Sequence, residues 1–167
     1  MLPDRVIRAA PPRVEKDAWR LVESDAPETL PVGAILVPLA LWKARREALA
    51  ERTAPVGVWL KPEDDPEALG RDVHSLPLIA VHFPKAADGR GYSTAVIVRR
   101  LGYRGELRAF GDLGRDHLFF LRRCGFDAFS LAPGKDPEAA LAAFADFSLR
   151  YQGSADDARP LFRLARG

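Results

Sequence analysis

The stretch that decides the fold reads LPLIAVHFPKAADGRGYSTAVIVRRLGYRGELRAF (residues 76–110). The most apolar run of the chain, Leu76–Phe83, is typical of a strand that is covered on both faces, and Glu106–Phe110 is the next strand-like run. Between them, apolar residues recur at helical spacing from Thr94 to Leu101, and Gly102 is placed to end that helix. A strand, a helix and a second strand in this order predict two parallel strands joined by a crossover helix.

Similar strand–helix units occur on both sides of this stretch. Five such units in a row predict an α/β fold with a mostly parallel sheet and helices on its faces. We expect an open three-layer sandwich, because five units are too few for an eight-stranded barrel. A partial (β/α) barrel is the alternative. The other strand-like runs are Ala34–Val37, Val56–Leu60 and Phe126–Leu131.

The first 30 residues have a different pattern of apolar and polar residues. Two short strand-like runs, Arg5–Ala9 and Trp19–Glu23, flank a pair of prolines, which predicts an N-terminal hairpin or arm. The expected divisions of the chain are an arm at residues 1–30, an α/β domain at residues 31–152 and a polar C-terminal tail at residues 153–167.

Composition excludes several classes of protein. The single cysteine, Cys124, rules out an internal disulfide, a CxxC redox pair and a cluster held by four thiolates of one chain. A net charge of +2 gives no reason to expect a nucleic-acid partner. No apolar run approaches the roughly 20 residues of a membrane span, and the start of the chain does not resemble a signal peptide. We therefore expect a cytoplasmic protein without a membrane partner.

A glycine-rich loop is the strongest candidate for ligand binding. It reads DGRGYS (residues 88–93) and leads from a strand into a helix, where unpaired amides and a guanidinium suit an anion. The loop after the next strand should open at the same edge of a parallel sheet. An alternative is that these glycines serve only the turn. The residues expected to bind an oxyanion are Lys61, Lys85, Gly89, Arg90, Gly91, Ser93 and Arg115.

Three residues near that edge are candidates for acid–base catalysis. Asp112 follows a strand, and it would either take a proton, orient an arginine or cap the next helix. Asp88 begins the glycine-rich loop and has the same alternatives. His82 lies near the end of the most apolar strand, where a buried packing role competes with a catalytic one.

Cofactor and metal motifs are missing from the sequence. The third glycine of a dinucleotide fingerprint is replaced by Thr94, and no GK[ST] of a phosphate-binding loop occurs. The histidines lack the spacing of metal ligands, so we expect no metal site and no cofactor. Cys124 precedes a glycine at a helix C-terminus, which disfavours a thiolate and indicates a small packed side chain.

Four segments together resemble one known family. They read GVWLKPEDD (57–65), FPKAADGRGYS (83–93), GYRGELRAFGD (102–112) and RRCGFDAF (122–129). The chain resembles a bacterial family of unknown function whose members are commonly labelled oxidoreductases of sulfite reduction. Their genes typically lie beside those for assimilatory sulfite and sulfate reduction. The resemblance implies a role in that pathway but brings no catalytic residues with it. His117 stands where many relatives have glutamine.

Two main functions follow from these observations. The first is an accessory protein of bacterial sulfite and sulfate assimilation, a small anion-handling enzyme with an oxyanion site at the C-terminal edge of its sheet. The second is a non-catalytic docking partner of sulfite reductase or of its electron donor. It would dock through a helix where Phe119 lies among Arg115, Arg122 and Arg123. A third reading is a barrel-derived enzyme that lacks half its barrel. The oligomeric state stays open.

Overall fold

One mixed sheet of eight strands forms the centre of the computed structural model, which describes residues 2–85 and 88–144. The strands are β1 Arg5–Ala9, β2 Pro12–Lys16, β3 Arg20–Leu21, β4 Ile35–Pro38, β5 Val56–Leu60, β6 Leu78–Phe83, β7 Glu106–Gly111 and β8 Ala128–Ser130. The α-helices are α1 Leu39–Ala44, α2 Arg46–Ala50, α3 Arg90–Arg100, α4 Leu118–Arg123 and α5 Pro137–Ala140. Short 3₁₀ segments occupy Pro66–His74, Arg115–His117 and Leu141–Phe144.

The strands lie in the order β2-β1-β8-β7-β6-β5-β4-β3. From β3 to β8 they are parallel and follow one another in chain order. The five predicted strand-like runs all form strands, β4 to β8. The expected adjacency of β6, β7 and β8 is confirmed, with Ile79 opposite Leu107 and Ala109 opposite Phe129.

The helices cover one face of the sheet, which corrects the expected three-layer sandwich. The main core joins helix residues such as Leu41, Val98 and Leu121 to one face of the strands. The opposite face has a smaller cluster that contains no described helix residue. Right-handed crossovers between strands in unbroken chain order place every helix on the same side. A sandwich needs a reversal of strand order, and β3 to β8 contain none.

The sheet is curled into a half-barrel, the architecture of the alternative prediction. In a flat sheet the two outer strands of eight would lie about 34 Å apart, at about 4.8 Å per strand. Here those outer strands are β2 and β3, and only Asp17, Ala18 and Trp19 connect them. The four residue steps from Lys16 to Arg20 span at most about 14 Å. The connection therefore requires the sheet to curve until its ends approach each other.

The N-terminal arm differs from its prediction in one strand. The run Arg5–Ala9 forms β1 as expected, but it pairs with Pro12–Lys16 rather than with Trp19–Glu23. Of the second predicted run, only Arg20–Leu21 forms a strand, and it pairs with β4 at the other end of the sheet. Because β1 also pairs with β8, the hairpin belongs to the same sheet as the α/β part. The predicted tail lies outside the described residues.

A buried ion pair holds the β2–β3 connection against the concave face of the sheet. The Nη1 atom of Arg108 lies 2.6 Å from the Asp17 carboxylate, and these side chains are 0% and 1% exposed. The guanidinium also contacts Glu106 at 2.7 Å. Arg108 has Ala80 and Ala128 as its neighbours on the adjacent strands, so the small side chains leave room for it. The pair thus fills part of the barrel interior.

We expect Asp17→Ala to destabilise the protein by about 3–5 kcal/mol, because it leaves a buried guanidinium short of its counter-charge. Urea unfolding gives the free energy of unfolding. The matched control is Asp4→Ala, which removes an exposed carboxylate and should cost less than about 0.5 kcal/mol. A loss below about 1 kcal/mol for Asp17→Ala would show that this ion pair does not hold the connection.

Candidate functional site

A cavity of about 490 Å³ opens on the concave face at the C-terminal ends of the parallel strands. We call it the concave pocket. This is the end of the sheet where ligands bind in barrels and open α/β folds. Its volume is that of a site for a small molecule. It is lined by aromatic side chains (Trp59, His82, Phe110), by polar ones (Glu23, Asp112, Ser130) and by apolar ones that include Leu2, Leu21 and Leu131.

Alternation along the strands brings four of these side chains to the concave face. The residue before each of them (Val58, Val81, Ala109 and Phe129) belongs to the helix-covered core, so the next side chain along the strand points to the other face. The register of the parallel strands sets three of them side by side, and the fourth lies on β5 opposite Ala80, one concave-facing position earlier. These residues are Trp59 of β5, His82 of β6, Phe110 of β7 and Ser130 of β8.

Three rings form the aromatic wall of the pocket. The Trp59 ring meets the His82 and Phe110 rings edge-on, with centroids 5.9 and 5.8 Å apart. The His82 and Phe110 rings are tilted, at 4.9 Å. The indole N–H of Trp59 donates to the carbonyl of Val22 at 2.9 Å, which fixes the ring. The wall is therefore rigid and mostly apolar.

A tight turn after β7 sets Asp112 at the rim of the pocket. Gly111 adopts φ +119°, and a Cβ there would lie 2.3 Å from the Phe83 carbonyl oxygen. That oxygen accepts a 2.7 Å hydrogen bond from the backbone N–H of Asp112. The Ala132 N–H donates to the Leu113 carbonyl at 3.2 Å and ties the loop after β8 to this turn. Glycine is thus required here, and the rim is held by backbone bonds.

Ser130 provides an unpaired polar atom inside the pocket. The residue is fully buried, and its Oγ has no hydrogen-bond partner among the described residues. A buried hydroxyl without a partner costs about 1–3 kcal/mol, so such groups are rare in stable proteins. The residue is also part of the lining of the concave pocket, which makes its hydroxyl a candidate contact for a bound molecule.

His82 is half-buried among the rings, and burial lowers its pKa from the usual value of histidine. Its imidazole is therefore neutral at pH 7, with one nitrogen available to accept a proton. The ring packs in the aromatic wall and also lines the cavity. It therefore has the position that a packing role needs and the position that a catalytic role needs.

The glycine-rich loop contains an internal ion pair. The Arg90 guanidinium, whose side chain is 60% exposed, binds the Asp88 carboxylate at 2.6 and 2.9 Å. Arg90 holds the pKa of Asp88 below its usual value. An oxyanion at Arg90 would have to compete with this carboxylate, and Asp88 is poorly suited to act as a base.

The other predicted oxyanion residues lie apart from the concave pocket. A Cβ on Gly91 would lie 2.4 Å from the Phe83 ring, so close packing requires that glycine, whereas Gly89 faces open space. The Lys61 ammonium binds Asp25 at 3.0 Å. Lys85, Ser93 and Arg115 are exposed. Among the described residues that line the concave pocket there is no lysine or arginine.

Among the strand-end residues of the pocket, sequence reasoning missed Trp59, Phe110 and Ser130. Each lies at or next to the C-terminal end of a predicted strand, so its position along the strand was predictable. Which face it occupies became clear only with the curl of the sheet. The one signal in the sequence was a serine within the apolar run Phe126–Leu131.

The surface around α4 differs from the expected docking face. Phe119 is buried, with 7% of its surface exposed, whereas Phe120 is 54% exposed. Phe119 packs under Arg123, whose guanidinium lies 5.9 Å from the ring centre. Cys124 is half-buried beside the main core, and burial raises the pKa of its thiol. The exposed aromatic of this helix is therefore Phe120.

The fold and cavity define a class: a half-barrel α/β protein with a cavity at the C-terminal ends of its strands. A family model described as bacterial protein of unknown function (DUF934) matches residues 57–162, more than half of the chain. The chain therefore belongs to the DUF934 family. The match includes the pocket residues Trp59, His82, Phe110, Asp112 and Ser130. No curated protein and no solved structure matches the chain.

Two features are absent from residues 2–85 and 88–144. No three His, Cys, Asp or Glu side chains there come together as a group that could hold a metal ion. No helix within those ranges is long and apolar enough to cross a bilayer.

We expect the stability of the protein to fall as the pH drops below about 6.5, in part through His82. Burial lowers the pKa of His82 below 6.5, so the unfolded chain binds this proton first. This loss of stability is absent above the pKa that His82 has in the unfolded chain. It grows as the pH falls, until His82 is protonated in the folded protein as well. His82→Phe keeps a ring in the wall and removes the titration. Urea unfolding at pH 7.5 and 5.5 should show a smaller loss for this variant.

The control for this prediction is His74→Gln, which replaces an exposed histidine and should retain the pH dependence of the wild type. Equal losses of stability for wild type and His82→Phe would contradict the prediction.

Proposed function

We propose that this protein is an accessory protein of bacterial sulfite and sulfate assimilation that binds a small molecule in the concave pocket. The observation that carries the binding proposal is the fully buried, unpartnered Ser130 hydroxyl in the lining of a 490 Å³ cavity. The position of the cavity at the C-terminal ends of the strands supports it. Support for the pathway comes from the family resemblance alone.

The pocket has the groups for proton transfer. The neutral imidazole of His82 accepts a proton, and the exposed carboxylate of Asp112 lies at the rim. If the protein is an enzyme, we propose that His82 is the base and that Asp112 assists it. Asp88, the third candidate, is held by Arg90 and takes no part in this proposal.

Oxyanion binding at the glycine-rich loop remains a separate proposal. It is supported by the exposure of Lys85, Arg90, Ser93 and Arg115 along the C-terminal side of β6 and β7. The Asp88 carboxylate already occupies the Arg90 guanidinium, as an anion would. Sulfite, sulfate or phosphate would bind there by replacing that carboxylate.

A docking role is the second candidate function, and a specific surface favours it. A cleft of about 660 Å³ lies at the opposite edge of the sheet, beside the C-terminal ends of α3 and α4. Arg100 and Arg104 are exposed in it, while Arg99 is bound to Asp127 and to nearby carbonyls. Such a cleft suits the acidic surface of a protein partner, of which sulfite reductase or its electron donor is the proposed example.

We expect small aromatic and heteroaromatic fragments to bind the concave pocket. Ligand-observed NMR on a fragment library detects such binding, and the quenching of tryptophan fluorescence reports contact with Trp59. Ala132→Trp places a large ring at a half-buried lining position and should abolish the hits. Ala139→Trp makes the same change at an exposed position of α5 and should leave them intact. Hits that survive Ala132→Trp would place binding elsewhere.

For the oxyanion proposal we expect Arg90→Ala to weaken anion binding about ten- to a hundredfold. A charge-assisted hydrogen bond contributes about 1.5–3 kcal/mol, and each 1.4 kcal/mol corresponds to a factor of ten. Calorimetric titration of sulfite, sulfate and phosphate measures the effect. Arg71→Ala, at another exposed arginine, is the control. If the wild type binds none of the three at millimolar concentration, this proposal fails and docking becomes the better reading.

A further inference from the structure

We infer that the concave pocket takes an uncharged planar ring with a hydrogen-bonding group at each of two opposite edges. One edge would bind the Ser130 hydroxyl and the other the imidazole of His82, and the ring would lie between them against Phe110. This inference rests on the proposed function, since it names the chemical class of the molecule bound at that same site.

The strand register sets His82, Phe110 and Ser130 in one row across the concave face. His82 is opposite Phe110 on the adjacent strand, and Phe110 is opposite Ser130 on the next. The phenyl ring therefore has a polar side chain on each side of it. At about 4.8 Å per strand, the Cα atoms of His82 and Ser130 lie about 10 Å apart. A molecule that reaches both polar side chains is about as long as one substituted aromatic ring.

Both polar side chains of this row lack a hydrogen-bond partner within the described part of the chain. The Ser130 hydroxyl is fully buried and makes no hydrogen bond there. The imidazole of His82 is half-buried against Trp59 and Phe110, and no hydrogen bond from residues 2–85 or 88–144 reaches its nitrogens. Buried polar groups are normally hydrogen-bonded. Two unpartnered groups on either side of one ring indicate a ligand with two polar edges.

The two side chains together offer donors and acceptors of hydrogen bonds. A serine hydroxyl both donates and accepts. Burial lowers the pKa of His82, so at pH 7 its imidazole is neutral, with one nitrogen as donor and the other as acceptor. Hydroxyl, amide and ring-nitrogen groups of a ligand meet these requirements, whereas a hydrocarbon would leave both side chains unsatisfied.

The pocket offers no buried counter-charge for an ionic ligand. Among the described residues of its lining there is no lysine or arginine. Glu23 is hydrogen-bonded by the amino-terminal ammonium, which lowers the pKa of that carboxyl. Asp112 is exposed at the rim, where water weakens its field. A charge carried inward to the aromatic wall would lose its hydration without gaining a partner, which is costly.

The lining of the pocket favours a flat molecule. Trp59, His82 and Phe110 present rings to the cavity, and aromatic rings pair well with other rings by offset stacking or by edge contacts. Most of the remaining described lining is apolar and uncharged: Leu2, Pro3, Leu21, Leu131, Ala132 and Pro133. A planar ring therefore gains contacts with the wall that an aliphatic chain of the same size would not make.

Four probes that share a para-substituted benzene ring test the class. 4-Hydroxybenzamide has two uncharged polar ends. 4-Hydroxybenzoate and 4-hydroxybenzamidine replace the amide by a carboxylate and an amidinium, and 4-fluorotoluene has no strong hydrogen-bonding group. We expect the amide to bind at least tenfold more tightly than each of the other three. Calorimetric titration at pH 7 measures the polar probes, and fluorine NMR measures 4-fluorotoluene.

Two variants test the assigned contacts. Ser130→Ala and His82→Phe should each weaken 4-hydroxybenzamide about tenfold, because each removes one hydrogen bond to the ligand. Neither should weaken 4-fluorotoluene, whose binding shows that the pocket is intact. Ser75→Ala and His74→Phe make the same changes at exposed positions and are the controls. The comparison of the four probes uses the wild type alone, so it decides the inference even where a variant does not fold.

The outcomes separate this inference from the proposed function. If a charged probe or 4-fluorotoluene binds as tightly as the amide, the pocket is a ligand site but the inferred class is overturned. The same holds if either variant leaves the binding of 4-hydroxybenzamide unchanged. If none of the four probes binds at millimolar concentration while other fragments bind and are lost in Ala132→Trp, the proposed function stands and this inference fails. If no fragment binds at all, both fail.

Discussion

The connection between β2 and β3 constrains the whole structure. These strands lie at opposite ends of the sheet order, yet only residues 17–19 join them. So short a connection curls the sheet, and the curl gives it a concave face on which none of the described helices lies. The connection itself then lies against that face, where Asp17 pairs with the fully buried Arg108. A buried ion pair contributes little net stability over an apolar pair of equal size. Its effect here is specificity, because only this path of the chain adds the Asp17 carboxylate to the Glu106 carboxylate that Arg108 also contacts.

The position of the concave pocket follows from this arrangement. The Asp17–Arg108 pair and its contact with Glu106 fill the barrel interior at the level of the middle of β7. The space left toward the C-terminal ends of the strands is the cavity, and its rim is set by backbone bonds at Gly111 and Asp112. A flat sheet covered by helices on both faces would have no such space. The curl and the pocket are therefore two consequences of one short connection.

Much of the fold was predictable because local patterns determine it. The apolar runs of β4 to β8 gave the strands, and the helical spacing between them gave the parallel pairing. The choice between sandwich and half-barrel was not predictable in this way, since it depends on which strands become neighbours. Arg108 shows the limit most clearly. Within an apolar run it resembles an outward-facing charge, and its counter-ion Asp17 lies 91 residues away in sequence.

The same limit applied to the site, where ion pairs occupy residues that the oxyanion hypothesis used. The sequence placed basic residues at the C-terminal edge, and the oxyanion hypothesis depended on their charge. Two of them are neutralised in the fold, Arg90 by Asp88 and Lys61 by Asp25. Asp112 was one of the residues expected to orient an arginine. It has no ion pair within the described residues and lines the cavity. The sign of a site is set by the charges that remain after pairing, and pairing leaves less positive charge at this edge than the residue types indicate. Residue types alone could not show this, because pairing such as that of Lys61 with Asp25 is a tertiary contact.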